Sequence, residues 1–90
     1  MPKHSINHKE VAWKVVDDEA VIINNQTTFY YGLNKTGTFI WNLIAETPLD
    51  TKEIASQVSA HFGKTIPEVT NEVEDLLQHL KKESLILERG

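Results

Sequence analysis

Apolar side chains fall into three short runs in the first third of the chain, and polar residues separate the runs. The first run, at 11–16, is rich in β-branched and aromatic residues and stops at three consecutive acidic residues. The second run covers 20–23 and precedes two asparagines, which tolerate the left-handed backbone of tight turns. The third covers 27–31. Connections this short pair neighbouring strands antiparallel, so the pattern predicts a meander ordered one, two, three.

In the rest of the chain the apolar spacing becomes that of amphipathic helices, and three helices are predicted. Asn34 is the expected N-cap of the first helix. The second begins with a capping box at Asp50 and Glu53 and closes at Gly63. The third begins after Thr65 and carries the longest apolar stripe, whose burial against the sheet is expected to anchor the fold. The stripe consists of Val69, Val73, Leu76, Leu77 and Leu80.

These elements predict an α+β fold in which a three-stranded antiparallel sheet is followed by three helices, as in winged-helix domains. The run at 85–87 fits either a helical tail or a short fourth strand. Residues 1–10 mix polar types around a single Ile6 and are interpreted as a flexible N-terminal arm. Residues 11–90 then form one domain, because two domains would each be too short to bury a core.

Composition and charge exclude several classes of protein. The chain has no cysteine, which excludes disulfide scaffolds, thiolate metal sites and cysteine nucleophiles. Its formal charge of −4 disfavours binding to nucleic acid or to anionic membranes. No apolar run approaches the roughly 18 residues of a membrane span, and the start lacks a signal-peptide pattern. We therefore expect a cytoplasmic protein with no membrane partner.

No arrangement of residues predicts catalysis. His4 and His8 have helical spacing, but no third ligand follows them and their surroundings show no helical pattern, so no metal site is expected. The serines lack a nucleophile elbow and the glycines form no phosphate loop. We expect a protein that is not an enzyme and needs no cofactor.

Two other functions remain as alternatives. A winged-helix DNA-binding protein would have a similar order of elements, but residues 66–80 hold four acidic residues and no Lys or Arg. The other alternative is a structural subunit that dimerises through its third strand.

The third predicted strand is the informative feature. As an outer strand of the meander it exposes a row of main-chain donors and acceptors. Lys14 protects the other outer strand against pairing with another chain. The segment 27–31, in contrast, has no charge, no proline and high β-propensity. It is therefore suited to pair with a partner strand, unless 85–87 or a second copy of the chain covers it.

The order of motifs resembles that of the PqqD-like family. YYGLNKTGTFIW at 30–41 resembles the family segment LN-x-T/V-G-x-x-I-W. Residues 51–55 resemble the start of the family's second helix and 61–63 its aromatic-glycine close. Residues 69–80, followed by 85–86, resemble its leucine-rich ending. Ser84 departs from the pattern, because glycine is common at that position.

The resemblance extends over about residues 11–88 and implies a non-catalytic peptide-recognition module. Such modules bind the leader segment of a ribosomally synthesised precursor peptide and present it to a modifying enzyme of the same pathway, such as a peptidase or a radical enzyme. The leader would join the third strand as an antiparallel strand and lay side chains in a groove beside the third helix. A discrete chain of this size suits lasso-peptide or pyrroloquinoline-quinone (PQQ) biosynthesis.

Candidate peptide-binding residues come from both walls of that groove. The strand contributes Thr27, Thr28, Phe29, Tyr30 and Tyr31, and which alternate set faces the helix is open. The helix contributes an apolar wall of Val73, Leu76 and Leu80 and a polar rim of Glu72, Asp75 and His79. The two rim acids are expected to favour a leader with Lys or Arg nearby.

Overall fold

A computed structural model describes residues 2–89 and has the predicted α+β architecture. Met1 of the predicted arm and Gly90 of the predicted domain lie outside the described residues. The strands are β1 (Lys3–Ile6), β2 (Val11–Val16), β3 (Glu19–Asn24), β4 (Tyr30–Gly32) and β5 (Ile86–Arg89). The helices are α1 (Lys35–Glu46), α2 (Thr51–Phe62) and α3 (Ile66–Lys82). The predicted meander followed by three helices is confirmed.

The meander forms an antiparallel sheet with the predicted order, here β2-β3-β4. The predicted third strand starts too early, because 27–29 belong to the turn before β4. The Asn24 side chain accepts hydrogen bonds from the main-chain N–H groups of Gln26 and Thr27. Thr28 adopts a left-handed φ of 62° and donates its N–H to the Asn24 carbonyl. These bonds outweigh the β-propensity of the segment.

The predicted flexible arm contains a strand. β1 pairs antiparallel with β5, with Ile6 opposite Ile86, and both side chains are buried. His4 also exchanges two main-chain hydrogen bonds with Leu49, at 2.7 and 3.2 Å. The run at 85–87, which the sequence left open, leads into β5 and pairs with β1 rather than with the meander. The interpretation of 1–10 as an arm is therefore wrong for 3–6, because long-range pairing orders them.

α3 buries one stripe against the rest of the fold. Its buried residues are Val69, Val73, Leu77 and Leu80, while Leu76 is only half-buried.

Trp41 of α1 is fully buried and meets Trp13 of β2 edge-on, with ring centroids 5.5 Å apart. The expected caps at Asn34, Asp50 and Gly63 are present. In the part of the chain described, none of the helices has the length and apolar character needed to cross a bilayer.

Ser84, which follows the C-cap residue of α3, has a strained backbone. Its φ is 60°, the left-handed region that favours glycine, and its N–H donates to the Lys81 carbonyl at 3.0 Å. Its carbonyl accepts a bond from the Asn7 side chain. The structural role of residue 84 therefore depends on its main-chain geometry rather than on the serine side chain.

Ser84→Gly is expected to stabilise the protein by about 0.5–1 kcal/mol, because glycine adopts this conformation without a steric penalty. Chemical denaturation followed by circular dichroism measures the change. A loss of stability of similar size would show that the Ser84 side chain contributes more than its backbone strain costs.

His4 is a buried histidine that joins β1 to α2. It is 4% exposed, and its Nε2 lies 3.1 Å from Thr51 Oγ1. Burial, aided by the Lys81 ammonium, lowers the pKa of His4 below its usual value of 6.5, although Glu88 and Asp50 act in the opposite direction. The neutral ring is therefore the form that the fold favours.

Stability is expected to fall as pH drops below about 6.5. The unfolded chain binds a proton at His4 in that range, whereas the folded chain binds it only at a lower pH, so unfolding takes up a proton. Urea denaturation between pH 7.5 and 5.5 measures the loss, and in His4→Gln the loss should be smaller. An identical pH dependence in the variant would assign the effect to other groups.

Candidate binding groove

The hydrogen-bonding phase of β4 determines which of its main-chain groups face outward. Just after β4, the N–H of Leu33 donates to the Ala20 carbonyl at 2.9 Å. Just before it, the Phe29 carbonyl accepts from the N–H of Asn24 at 3.0 Å. Hydrogen-bonded positions alternate along an antiparallel pair, so Tyr31, midway between these two residues, directs its N–H and carbonyl toward β3.

Tyr30 and Gly32 therefore present their N–H and carbonyl groups to the outer edge of the sheet. Within residues 2–89, β4 has a strand neighbour on one side only. Gly32 is also open on its side-chain face, since a Cβ placed there would meet no atom of the described chain within 4 Å apart from its two chain neighbours. The edge is short, but it is accessible to an incoming strand.

A groove of about 440 Å³ separates β4 from α3. Its size is within the range typical of ligand pockets. One wall is β4 and the other is the face of α3 that carries Glu72, Leu76 and His79. Its apolar floor consists of Leu33, Ile40 and Leu80, and the start of α1 closes one end with Asn34, Thr36 and Gly37.

Tyr31 is the β4 side chain that faces α3. Its hydroxyl donates a hydrogen bond to Glu83 Oε2 at 2.8 Å. Its ring meets the His79 ring edge-on, with centroids 6.4 Å apart. Strand alternation directs the Tyr30 side chain to the other face, where the residue is 73% exposed. The sequence does not decide which alternate residues of this strand face α3, and the structure shows that Tyr31 does.

Asn24 connects the turn before β4 to the end of α3. It is buried, and its side-chain Nδ2 donates to the Glu83 carbonyl at 3.3 Å. Glu83 therefore holds the turn through its main chain and Tyr31 through its side chain. These two bonds fix β4 relative to α3 and so set the width of the groove.

The groove is acidic. Glu72 lines its wall and Glu83 lies beyond Tyr31, while no Lys or Arg among residues 2–89 lines it. The bond to Glu83 raises the pKa of the Tyr31 hydroxyl above its usual value of 10.0, because the carboxylate stabilises the protonated phenol. A cationic side chain would be favoured here over an anionic one.

The structure brings only part of the predicted set to the groove. The predicted residues that line it are Tyr30, Tyr31, Glu72, Leu76, His79 and Leu80. Thr27 and Thr28 lie in the turn, and Phe29, 64% exposed, precedes β4. Val73 is fully buried in the core and does not line the groove. Asp75 is exposed on α3 outside the groove lining, so Glu72 is the rim acid that lines it.

Several groove residues were not among the predicted set. Gly32 is the last residue of β4, and Leu33, Asn34, Thr36 and Gly37 come after it. A helix N-cap next to an edge strand is the signal that could have found them. Ile40 has the periodicity of a core residue. Glu83 carries no sequence signal, because its role depends on where α3 ends.

Comparison with known proteins shows one family and two similar structures. The sequence profile of the family described as Coenzyme PQQ synthesis protein D (PqqD) matches residues 19–86. TbiB1 in complex with the TbiA(beta) leader peptide is 30% identical over 91% of this chain and 93% of that one, with a TM-score of 0.82. Lasso peptide synthetase B1 complexed with the leader peptide is 15% identical over 93% and 96%, with a TM-score of 0.79, and this likeness concerns the fold. Among curated proteins, no sequence matches significantly.

Glu83→Ala is expected to lower the pKa of Tyr31 toward 10, because the substitution removes the hydrogen-bond acceptor and its charge. The measurement is an NMR titration of the tyrosine ring carbons. Glu72→Ala is the matched control, since Glu72 makes no hydrogen bond to Tyr31 among the described residues. An unchanged Tyr31 titration in Glu83→Ala would contradict the assigned contact.

Proposed function

The chain belongs to the PqqD family, and from this we propose that it is a non-catalytic module that captures the leader segment of a ribosomally synthesised precursor peptide. The leader adds to β4 as an antiparallel strand and places alternate side chains in the groove beside α3. The observation that carries the proposal is the outward-facing main chain of Tyr30 and Gly32 next to that groove. The family and the leader-bound state of TbiB1 support it.

The proposal includes a second partner, a modifying enzyme of the same pathway such as a peptidase or a radical enzyme. A module that only binds a leader needs an enzyme to act on the rest of the precursor. Ribosomal synthesis makes the precursor in the cytoplasm, and we propose that the chain acts there.

Strand pairing alone gives too little binding energy. Two N–H and two carbonyl groups at the β4 edge allow up to four hydrogen bonds, about 2–6 kcal/mol net in total. Association costs an estimated 4–15 kcal/mol. Apolar leader side chains that enter the groove, at about 1.5–3 kcal/mol each, must supply the remainder. Affinity and specificity therefore depend mainly on the groove.

Gly32→Pro is expected to weaken leader binding at least tenfold, because proline removes an outward N–H and places its ring in the path of the incoming strand. No internal hydrogen bond is lost, since this N–H faces the edge. The leaders of the short precursor peptides encoded in the source genome form the panel, and calorimetry measures their binding. At least one should bind the wild-type protein with a Kd of about 10 µM or lower.

Gly32→Ala is the matched control, because alanine keeps the N–H and its Cβ would clash with nothing in the part of the chain that the structure describes. It should bind like the wild-type protein. Circular dichroism verifies that both variants fold. Equal affinity of a folded Gly32→Pro variant would contradict strand addition at β4, and a panel without any binder would contradict the function. Light scattering tests the alternative, in which β4 pairs with a second copy.

A further inference from the structure

The outward-facing groups of β4 also determine the register of a bound strand, an inference that rests on the proposed function. Let four successive peptide residues be a, b, c and d, in the direction from N to C. In an antiparallel arrangement, b lies opposite Gly32 and d lies opposite Tyr30. Each of these two peptide residues exchanges main-chain hydrogen bonds with the β4 residue opposite it. Residue c then lies opposite Tyr31, and a lies opposite Leu33.

Strand alternation puts the side chains of a and c on the same face of the peptide. The side chain of c shares the face of Tyr31, its cross-strand neighbour, and that face looks toward α3. Residues a and c therefore direct their side chains into the groove, whereas b and d direct theirs away from it. Recognition is limited to two positions separated by one residue.

The surroundings of position a are apolar. Leu33 lies opposite it, and Leu33 forms the groove floor together with Ile40 and Leu80. Leu76 of α3 contributes the facing wall and is half-buried without a ligand. An aliphatic side chain at a would remove this surface from water without leaving a polar group unpaired.

The surroundings of position c are aromatic and acidic. Directly opposite residues on one face have Cβ atoms about 4.5–5.5 Å apart, so the stem of a long side chain at c would lie on the Tyr31 ring. The nearby carboxylate is that of Glu83, bonded to the Tyr31 hydroxyl, whereas Glu72 lies eleven residues earlier on the chain, about 16 Å along the α3 axis. The Lys81 ammonium lies at another cavity, where it pairs with Glu88 at 2.6 Å. A cation at c is favoured both by the Tyr31 ring and by the Glu83 carboxylate.

We propose that the groove selects leaders in which an aliphatic residue is followed, two positions later, by Lys or Arg. The order is directional, because the antiparallel strand places a at the α1 end of the groove and c at the Tyr31 end. Residues b and d are unrestricted apart from proline, which would remove one of their main-chain donors.

Selection from a random 12-residue peptide library by mRNA display tests the proposal. Peptides enriched on the wild-type protein and depleted on Gly32→Pro bind at the β4 edge. Among these, the spaced pair in the order aliphatic then basic is expected to dominate. For each enriched peptide, a synthetic partner with the two residues exchanged keeps the composition and is expected to bind at least tenfold more weakly in calorimetry.

The Glu83 carboxylate is tested separately in a Glu83→Gln variant, whose amide oxygen can still accept the Tyr31 hydrogen bond, with Glu72→Gln as the matched control. Glu83→Gln should reduce the ratio of the affinities for peptides with Arg and with Met at position c about fivefold or more, and Glu72→Gln should reduce this ratio less. Circular dichroism verifies that both variants fold.

The outcomes distinguish the two proposals. Some enriched peptides will lose binding in Gly32→Pro. If these peptides lack the spaced pair, or bind equally well with the pair exchanged, the proposed selectivity is wrong, whereas strand addition at β4 is not contradicted. An unchanged preference for Arg in Glu83→Gln would overturn the role of its carboxylate. If no enriched peptide depends on Gly32, the proposed function fails together with the inference.

Discussion

The rest of the site depends on one constraint, namely which residues of β4 form main-chain hydrogen bonds with β3. The bonds from Leu33 to Ala20 and from Asn24 to Phe29 bracket a strand of three residues. They turn the main chain of Tyr31 inward and that of its two neighbours outward. The same alternation directs the Tyr31 side chain toward α3. A shift of one residue would exchange both assignments and bond the outward groups to β3.

One stripe of apolar residues on α3 contributes both to the core and to the groove wall. Val73 and Leu77 lie in the core, whereas Leu76 is half-buried on the groove wall. Leu80 is fully buried and also forms the groove floor, so the floor is continuous with the core. A groove built in this way keeps its shape without a ligand, which lowers the entropy cost of binding. Glu83 adds to this rigidity by holding both the Asn24 turn and the Tyr31 ring.

The sequence predicts features with local signals and misses those that depend on distant partners. The caps at Asn34 and Asp50 are correct because a cap is decided within four residues. β1 has one buried apolar residue, Ile6, and it is ordered by a partner at the other end of the chain, which no local pattern reveals. The start of β4 depends on side-chain bonds from Asn24, which outweigh local propensity. Helical periodicity likewise finds the α3 stripe but does not tell which edge of it lines the groove.

Amide hydrogen exchange at β4 tests the central claim most directly. In the protein without peptide, the N–H groups of Tyr30 and Gly32 should exchange rapidly and that of Tyr31 slowly, because only Tyr31 donates to β3. A bound peptide strand should then slow the exchange of the first two. Strong protection of Tyr30 and Gly32 in the isolated monomer would show that the edge is already occupied and would contradict the account.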